Sequence, residues 1–141
     1  MTGITTSDAC AVAEFRAQLR RFLRRTERIA RKSDLTPQRY LLLLMVKGAA
    51  DGSARSTVTE LAERMQLAQS TVTELVSRAE EAGLLEREQS QTDARVAHLR
   101  LTDEGERRLA LAFTGLAAER ANLREAFTHL DTEALEPEPM L

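Results

Sequence analysis

The sequence predicts a mainly α fold of the α+β kind, and three observations in its 141 residues carry that reading. Amphipathic stretches of 3.6-residue periodicity occupy both ends. Two short helical patterns, a few residues apart, stand in the middle. Directly after them come two strand-like runs joined by a polar loop. Apolar residues make up 43% and charged residues 30% of the chain, a soluble globular composition. Its longest apolar run, LLLLMV at 41–46, is too short to cross a bilayer, so no membrane is expected among its partners. With a single cysteine, Cys10, and no basic, apolar and cleavage segments at the start, the expected location is cytoplasmic, without a disulfide.

The elements follow in order. Along EFRAQLRRFLRRTERIAR, residues 14–31, the side chains of Phe15, Leu19, Phe22, Leu23, Ile29 and Ala30 share one stripe, with arginines over the rest. Thr36 and Pro37 supply an N-cap and a first-turn proline for a second helix through about Lys47, closed by Gly48 and Asp51-Gly52. Its apolar run marks it as central. Thr57 and Glu60 have the spacing of a capping box, and Leu61, Ala62 and Met65 give the short helix behind them an apolar face. After a connection around residues 66–69, another helix turns Val72, Leu75, Val76 and Ala79 inward, and Gly83 suits its stop. These two helices make a helix-turn-helix. LLER and RVAHLRL then read as strands around a loop at about residues 88–94, which forms a wing. From the capping residue Thr102 the chain runs as one long helix or two in series, and Pro137 and Pro139 end the tail.

In this order of elements, and in LTPQRYLLL, LAERMQLAQSTVTELVSRAEEAGLLER and DARVAHLRLTDEG, the chain resembles the MarR family of bacterial transcriptional regulators over about residues 12–135. The resemblance implies a winged helix-turn-helix with N- and C-terminal dimerisation helices. It implies a homodimer that sets its two winged helices on a pseudopalindromic operator in double-stranded DNA, represses a neighbouring operon and is released by a small-molecule effector. Residues 1–34 would be the N-terminal dimerisation helix, 35–102 the DNA-binding domain and 103–141 the C-terminal dimerisation helices. The sequence departs from the family at three points. Ala68 stands where the family usually caps the reading helix with Ser, a loss of about 1 kcal/mol. Arg87 and Arg95 of the wing sit among Glu86, Glu88 and Asp93, and the last helix is shorter than the family's, which bears on dimer stability.

With its apolar residues inward, the second helix of the motif presents Ser70, Thr71, Thr73, Glu74, Ser77 and Arg78. In a major groove the hydroxyls can serve phosphates or base edges, and the threonine methyls can touch thymine methyls. Arg78 is the one side chain on this face able to grip guanine O6 and N7 together, and Gln69 suits adenine or a phosphate. In the wing, Asp93 precedes Arg95 by two residues, close enough to orient its guanidinium, and the resembling family has the same Asp-x-Arg pattern. The plain alternatives are a solvated helix face and a stapled hairpin. Family effectors lie between the dimerisation helices and the winged domain, which makes Phe22, Arg39, Tyr40 and Leu43 candidate lining, unless they simply pack the core.

Other residues point to little chemistry. Cys10 is similar to the sensor cysteine of the family's peroxide-sensing branch, but that branch pairs it with tyrosines and this chain has only Tyr40. It reads as an ordinary thiol near a frayed terminus. His98 and His129 lack metal-site spacing, and no phosphate-cradling loop, nucleophile elbow or Cys-His pair suggests an enzyme or a cofactor. The reading that competes with DNA binding is a winged-helix protein-interaction module without specific DNA binding. The formal charge of -2 conceals an asymmetry: residues 14–32 carry eight basic and two acidic side chains, residues 102–141 four basic and nine acidic. The run from Arg16 to Arg31 is accordingly expected to pair with the acidic C-terminal helices of a partner subunit.

Overall fold

The computed structural model describes residues 3–130, and over that span six helices accompany one two-stranded sheet. The first helix, α1, spans Thr6–Lys32 and begins well before residue 14, because Thr5 caps it. Thr5 Oγ1 accepts the Asp8 amide at 3.0 Å, and the Asp8 carboxylate adds favourable charge to the first turn. Cys10 therefore lies exposed within a formed helix rather than at a frayed end. Leu23, expected in the buried stripe, is 54% exposed.

The helix α2, Pro37–Lys47, runs through the centre, with Leu42, Leu43 and Val46 fully buried. Next comes α3, Val58–Met65, held by both halves of its capping box: Thr57 Oγ1 accepts the Glu60 amide at 3.2 Å, and Glu60 Oε1 accepts the Thr57 amide at 3.3 Å. Gln66, in the left-handed conformation at φ 57°, turns the chain into α4, Gln69–Glu81. As expected, α4 buries Val72, Leu75, Val76 and Ala79. At its end Gly83, at φ 76°, donates to Glu80 O and the Leu84 amide donates to Ala79 O, both at 2.9 Å, closing a Schellman turn.

Strand β1, Leu85–Gln89, pairs antiparallel with β2, Ala97–Leu101, setting Leu85 opposite Leu101. The first strand runs further and the second starts later than their sequence patterns suggest, so Arg95 falls in the loop. Ser56 exchanges backbone hydrogen bonds with Leu99 at 3.1 and 2.8 Å, which ties the segment before α3 to the wing.

The C-terminal stretch is two helices in series, α5, Asp103–Gly115, and α6, Ala117–Thr128, meeting at the buried Leu116. Thr102 fastens α5 to the end of α4. Its amide donates to Leu84 O at 3.0 Å, its hydroxyl donates to Gly83 O at 2.5 Å, and the same oxygen accepts the Gly105 amide at 3.1 Å. Gly105 makes the approach possible, since a Cβ there would stand 2.2 Å from Leu84 O. Helix α6 returns along α1, where Phe15 and Phe127 meet edge to face at 5.9 Å and Arg25 pairs with Glu119 at 3.0 Å. Among the described residues no helix is long and apolar enough to cross a membrane. The tail with Pro137 and Pro139 lies outside them.

Candidate nucleic-acid interface

Ser70, Thr71, Thr73, Glu74, Ser77 and Arg78 all lie exposed on α4, opposite its buried face. Ala68 occupies the N-cap with no side-chain bond, so the first amides of α4 are left to solvent or to a ligand. Gln69 is held instead by α3, donating from Nε2 to Thr59 Oγ1 at 3.3 Å. Farther along the helix, Arg78 and Glu74 join their head groups at 2.5 Å while both remain more than 60% exposed.

The wing tip is built from side chains that bond backbone. Ser90 Oγ accepts the Thr92 and Asp93 amides at 3.3 Å each, and Gln89 donates to the Ala94 carbonyl. Asp93 Oδ1 accepts the Arg95 amide at 3.0 Å and meets the Arg95 guanidinium only at 3.4 Å. The carboxylate thus shapes the turn first and orients the 92%-exposed Arg95 side chain second. Thr57, Thr59, Arg87, Arg95 and Val96 line one hollow of about 330 Å³ between α3 and the wing. The Gln69–Thr59 bond ties one of its lining residues to the start of α4. Sequence reading gave Thr59 no part in the site. Its only signal was its place in the first turn of α3.

Electrostatically the face is compensated rather than basic. Besides the Arg78 and Arg95 pairs, Arg55 meets Glu88 at 3.2 Å, Arg87 meets Glu80 at 2.9 Å and Arg100 meets Glu86 at 2.7 Å. Arg64 donates to the Met45 carbonyl at 3.1 Å. Residues 35–102 hold eight Lys and Arg against nine Asp and Glu. Such a surface has little excess charge to attract a polyanion unselectively.

The four candidate effector residues stand in different settings. Tyr40 and Leu43 are core residues, and Arg39 is half-buried in the first turn of α2. Phe22 lines a separate groove of about 390 Å³ between α1 and α6, with Gln18, Arg21, Arg25, Glu119 and Asn122. Burial pushes the Tyr40 phenol above its ordinary pKa, partly opposed by the positive charge of Arg120. Arg120 itself, distant in sequence, lies 3.7 Å over the Phe113 ring. Nothing in the sequence pattern brought Arg120 to Tyr40. Among the described residues no group of three His, Cys, Asp or Glu is placed to hold a metal ion.

Two helices with a tight turn, a hydroxyl-lined exposed face and an adjoining hairpin define a winged helix-turn-helix protein. Residues 33–96 match the model of the MarR family. No curated protein sequence matches the chain. Solved structures do: the YusO protein from Bacillus subtilis is 27% identical, with 85% of this chain and 80% of that one covered, at a TM-score of 0.59. AbsC, a MarR family transcriptional regulator from Streptomyces coelicolor, is 22% identical, with 96% and 88% covered, at a TM-score of 0.64. A mutant MarR from E. coli complexed with operator DNA is 18% identical, with 85% and 81% covered, at a TM-score of 0.63. Over its winged-helix segment the chain is thus similar to the MarR family, and its fold is the one these solved structures share.

Proposed function

We propose that the protein is a sequence-specific DNA-binding transcriptional regulator, a homodimer that represses from an inverted-repeat operator and is released by a small ligand. The observation that carries the DNA reading is the exposed, hydroxyl-rich face of α4, uncapped at its start and tied through Gln69 to Thr59 of α3, which lines one hollow together with Arg95 of the wing. A groove-bound helix α4 would use Ser70, Thr71, Thr73 and Ser77 on phosphates and base edges, with Gln69 at its entrance. Arg78 would discriminate bases and Arg95 would enter the minor groove, with Asp93 holding the turn beneath it. The solved relative bound to operator DNA has the same fold. Repression and ligand release follow the family resemblance, with Phe22, Arg39, Tyr40 and Leu43 as the first residues to probe.

The dimer reading has its own support. Among the described residues, the large exposed apolar side chains are Ile4, Val12, Leu23, Leu111, Phe113 and Phe127, all on the terminal helices or just before α1. Segments 1–34 and 103–141 would dimerise, leaving 35–102 to DNA, and the arginine face of α1 would meet the acidic C-terminal end of the partner. The test is a salt-titrated binding assay on short duplexes from upstream of the gene. Selective binding that weakens as salt rises is expected, with Arg78→Ala costing about 1–3 kcal/mol on the preferred duplex. Failure to bind any duplex at low salt would replace this reading with a protein-interaction module.

A further inference from the structure

We infer that Glu74 is a base-reading residue, and that Glu74 and Arg78 act as one unit that recognises a C·G pair in each half-site. The inference deepens the DNA-binding reading above and rests on it. Its starting point is the place of Glu74 on α4. Counting about 100° per residue around the helix from Ser70, which faces directly away from the core, Glu74 lies about 40° off and Arg78 about 80°. The carboxylate is therefore nearer the middle of the exposed face than the arginine. A helix seated in a groove would bring it between two phosphate backbones and strip its water. That position is costly unless donors replace the lost water.

Arg78 supplies one donor, at 2.5 Å, and leaves the carboxylate's remaining lone pairs facing outward. Among base edges in the major groove, cytosine offers the N4 amine with no acceptor of its own beside it. Adenine offers N6 next to the N7 acceptor, which repels a carboxylate, and thymine and guanine offer acceptors alone. Next to cytosine N4, across the pair, lie guanine O6 and N7, which require donors. A carboxylate joined to a guanidinium is the donor–acceptor complement of that edge: Glu74 accepts from N4 while Arg78 donates to O6 and N7. The ion pair also restrains the two head groups before binding, so less side-chain freedom is lost in the complex. Neither group packs into the core, both being more than 60% exposed, so their substitution leaves the fold intact.

The experiment is selection from a randomised duplex library by the full-length wild type, Glu74→Gln and Arg78→Ala, followed by affinities on a panel of single-base variants. The wild type is expected to select a half-site with one C·G pair, whose replacement weakens binding roughly 5- to 150-fold. Arg78→Ala should lose discrimination at that same pair. Glu74→Gln should shift the preference there toward A·T, because a glutamine amide matches adenine N6 and N7, and leave the other positions unchanged. A Glu74→Gln protein that binds every duplex more tightly by one common factor overturns the inference, since the carboxylate would then only repel phosphates. So does loss of discrimination by the two substitutions at different pairs. A wild type that selects no sequence overturns the DNA-binding reading, and this inference falls with it.

Discussion

Arg95 shows what a single residue contributes. Its guanidinium is almost wholly exposed and only loosely held by Asp93, while its backbone amide is fixed by the same carboxylate. The side chain adds little to the fold, so Arg95→Ala should leave the melting temperature nearly unchanged. It should sharply weaken duplex binding, most on A·T-rich flanks, where a narrow minor groove deepens the negative potential. Asp93→Ala removes the acceptor of the turn, and should loosen the tip and reduce affinity less. Anisotropy titrations on duplexes with A·T or G·C flanks, beside thermal melts, check both, and an unchanged affinity for Arg95→Ala would reduce the wing to a structural hairpin. The Asp-x-Arg spacing was legible in the sequence. That the shorter bond goes to the backbone was not, because spacing alone does not say which nitrogen a carboxylate meets.

Among the elements, α4 starts without a cap although Ala68 already has the extended backbone, φ -64° and ψ 147°, that a capping residue needs. Ala68→Ser should therefore stabilise the protein by about 1 kcal/mol, read as a shift in urea midpoint at constant slope. No shift would mean that solvent already satisfies those amides. In α5, hydrogen bonds from Arg107 and Arg108 hold the Glu104 carboxyl down to about 2 from an ordinary 4.5. A carboxyl lowered in the folded state stabilises it fully above pH 4.5, and that contribution fades as pH falls toward about 2. The urea-midpoint gap between wild type and Glu104→Gln should be small, because the pair faces water, and should close across that window. A gap independent of pH would exclude the pairing as its cause. Local chemistry made most elements legible: the Thr57–Glu60 capping box, Pro37 at a helix start, Gly83 at a helix end. The start of α1 was legible too, in Thr5 and Asp8, but its signal sits outside the apolar stripe. The connection at Gln66 was legible, but the residue's left-handed conformation was not, since it carries none of glycine's preference for it.

At the scale of the molecule, exposed apolar side chains gather on the terminal helices while the winged part presents hydroxyls and paired charges. A monomer would leave Leu111, Phe113 and Phe127 in water. Sedimentation at micromolar concentration should thus give a dimer, with two α4 helices addressing half-sites about 34 Å apart. A monomeric species there would sink the dimer and the inverted repeat with it. The arginine-rich and acidic ends were plain in the sequence. The separation of Phe22 from Tyr40 and Leu43 was not, because which face of a helix lines a groove depends on neighbours far along the chain.

The contact of Gly105 with Leu84 works as a joint without slack. Where side chains separate two helices, rotamer changes can absorb a small displacement. Here the first turn of α5 rests on the Leu84 carbonyl, which accepts the Thr102 amide, while the Thr102 hydroxyl donates to the Gly83 carbonyl beside it. A tilt of α5 is therefore expected to carry Gly83 and Leu84, the turn that ends α4, along with it.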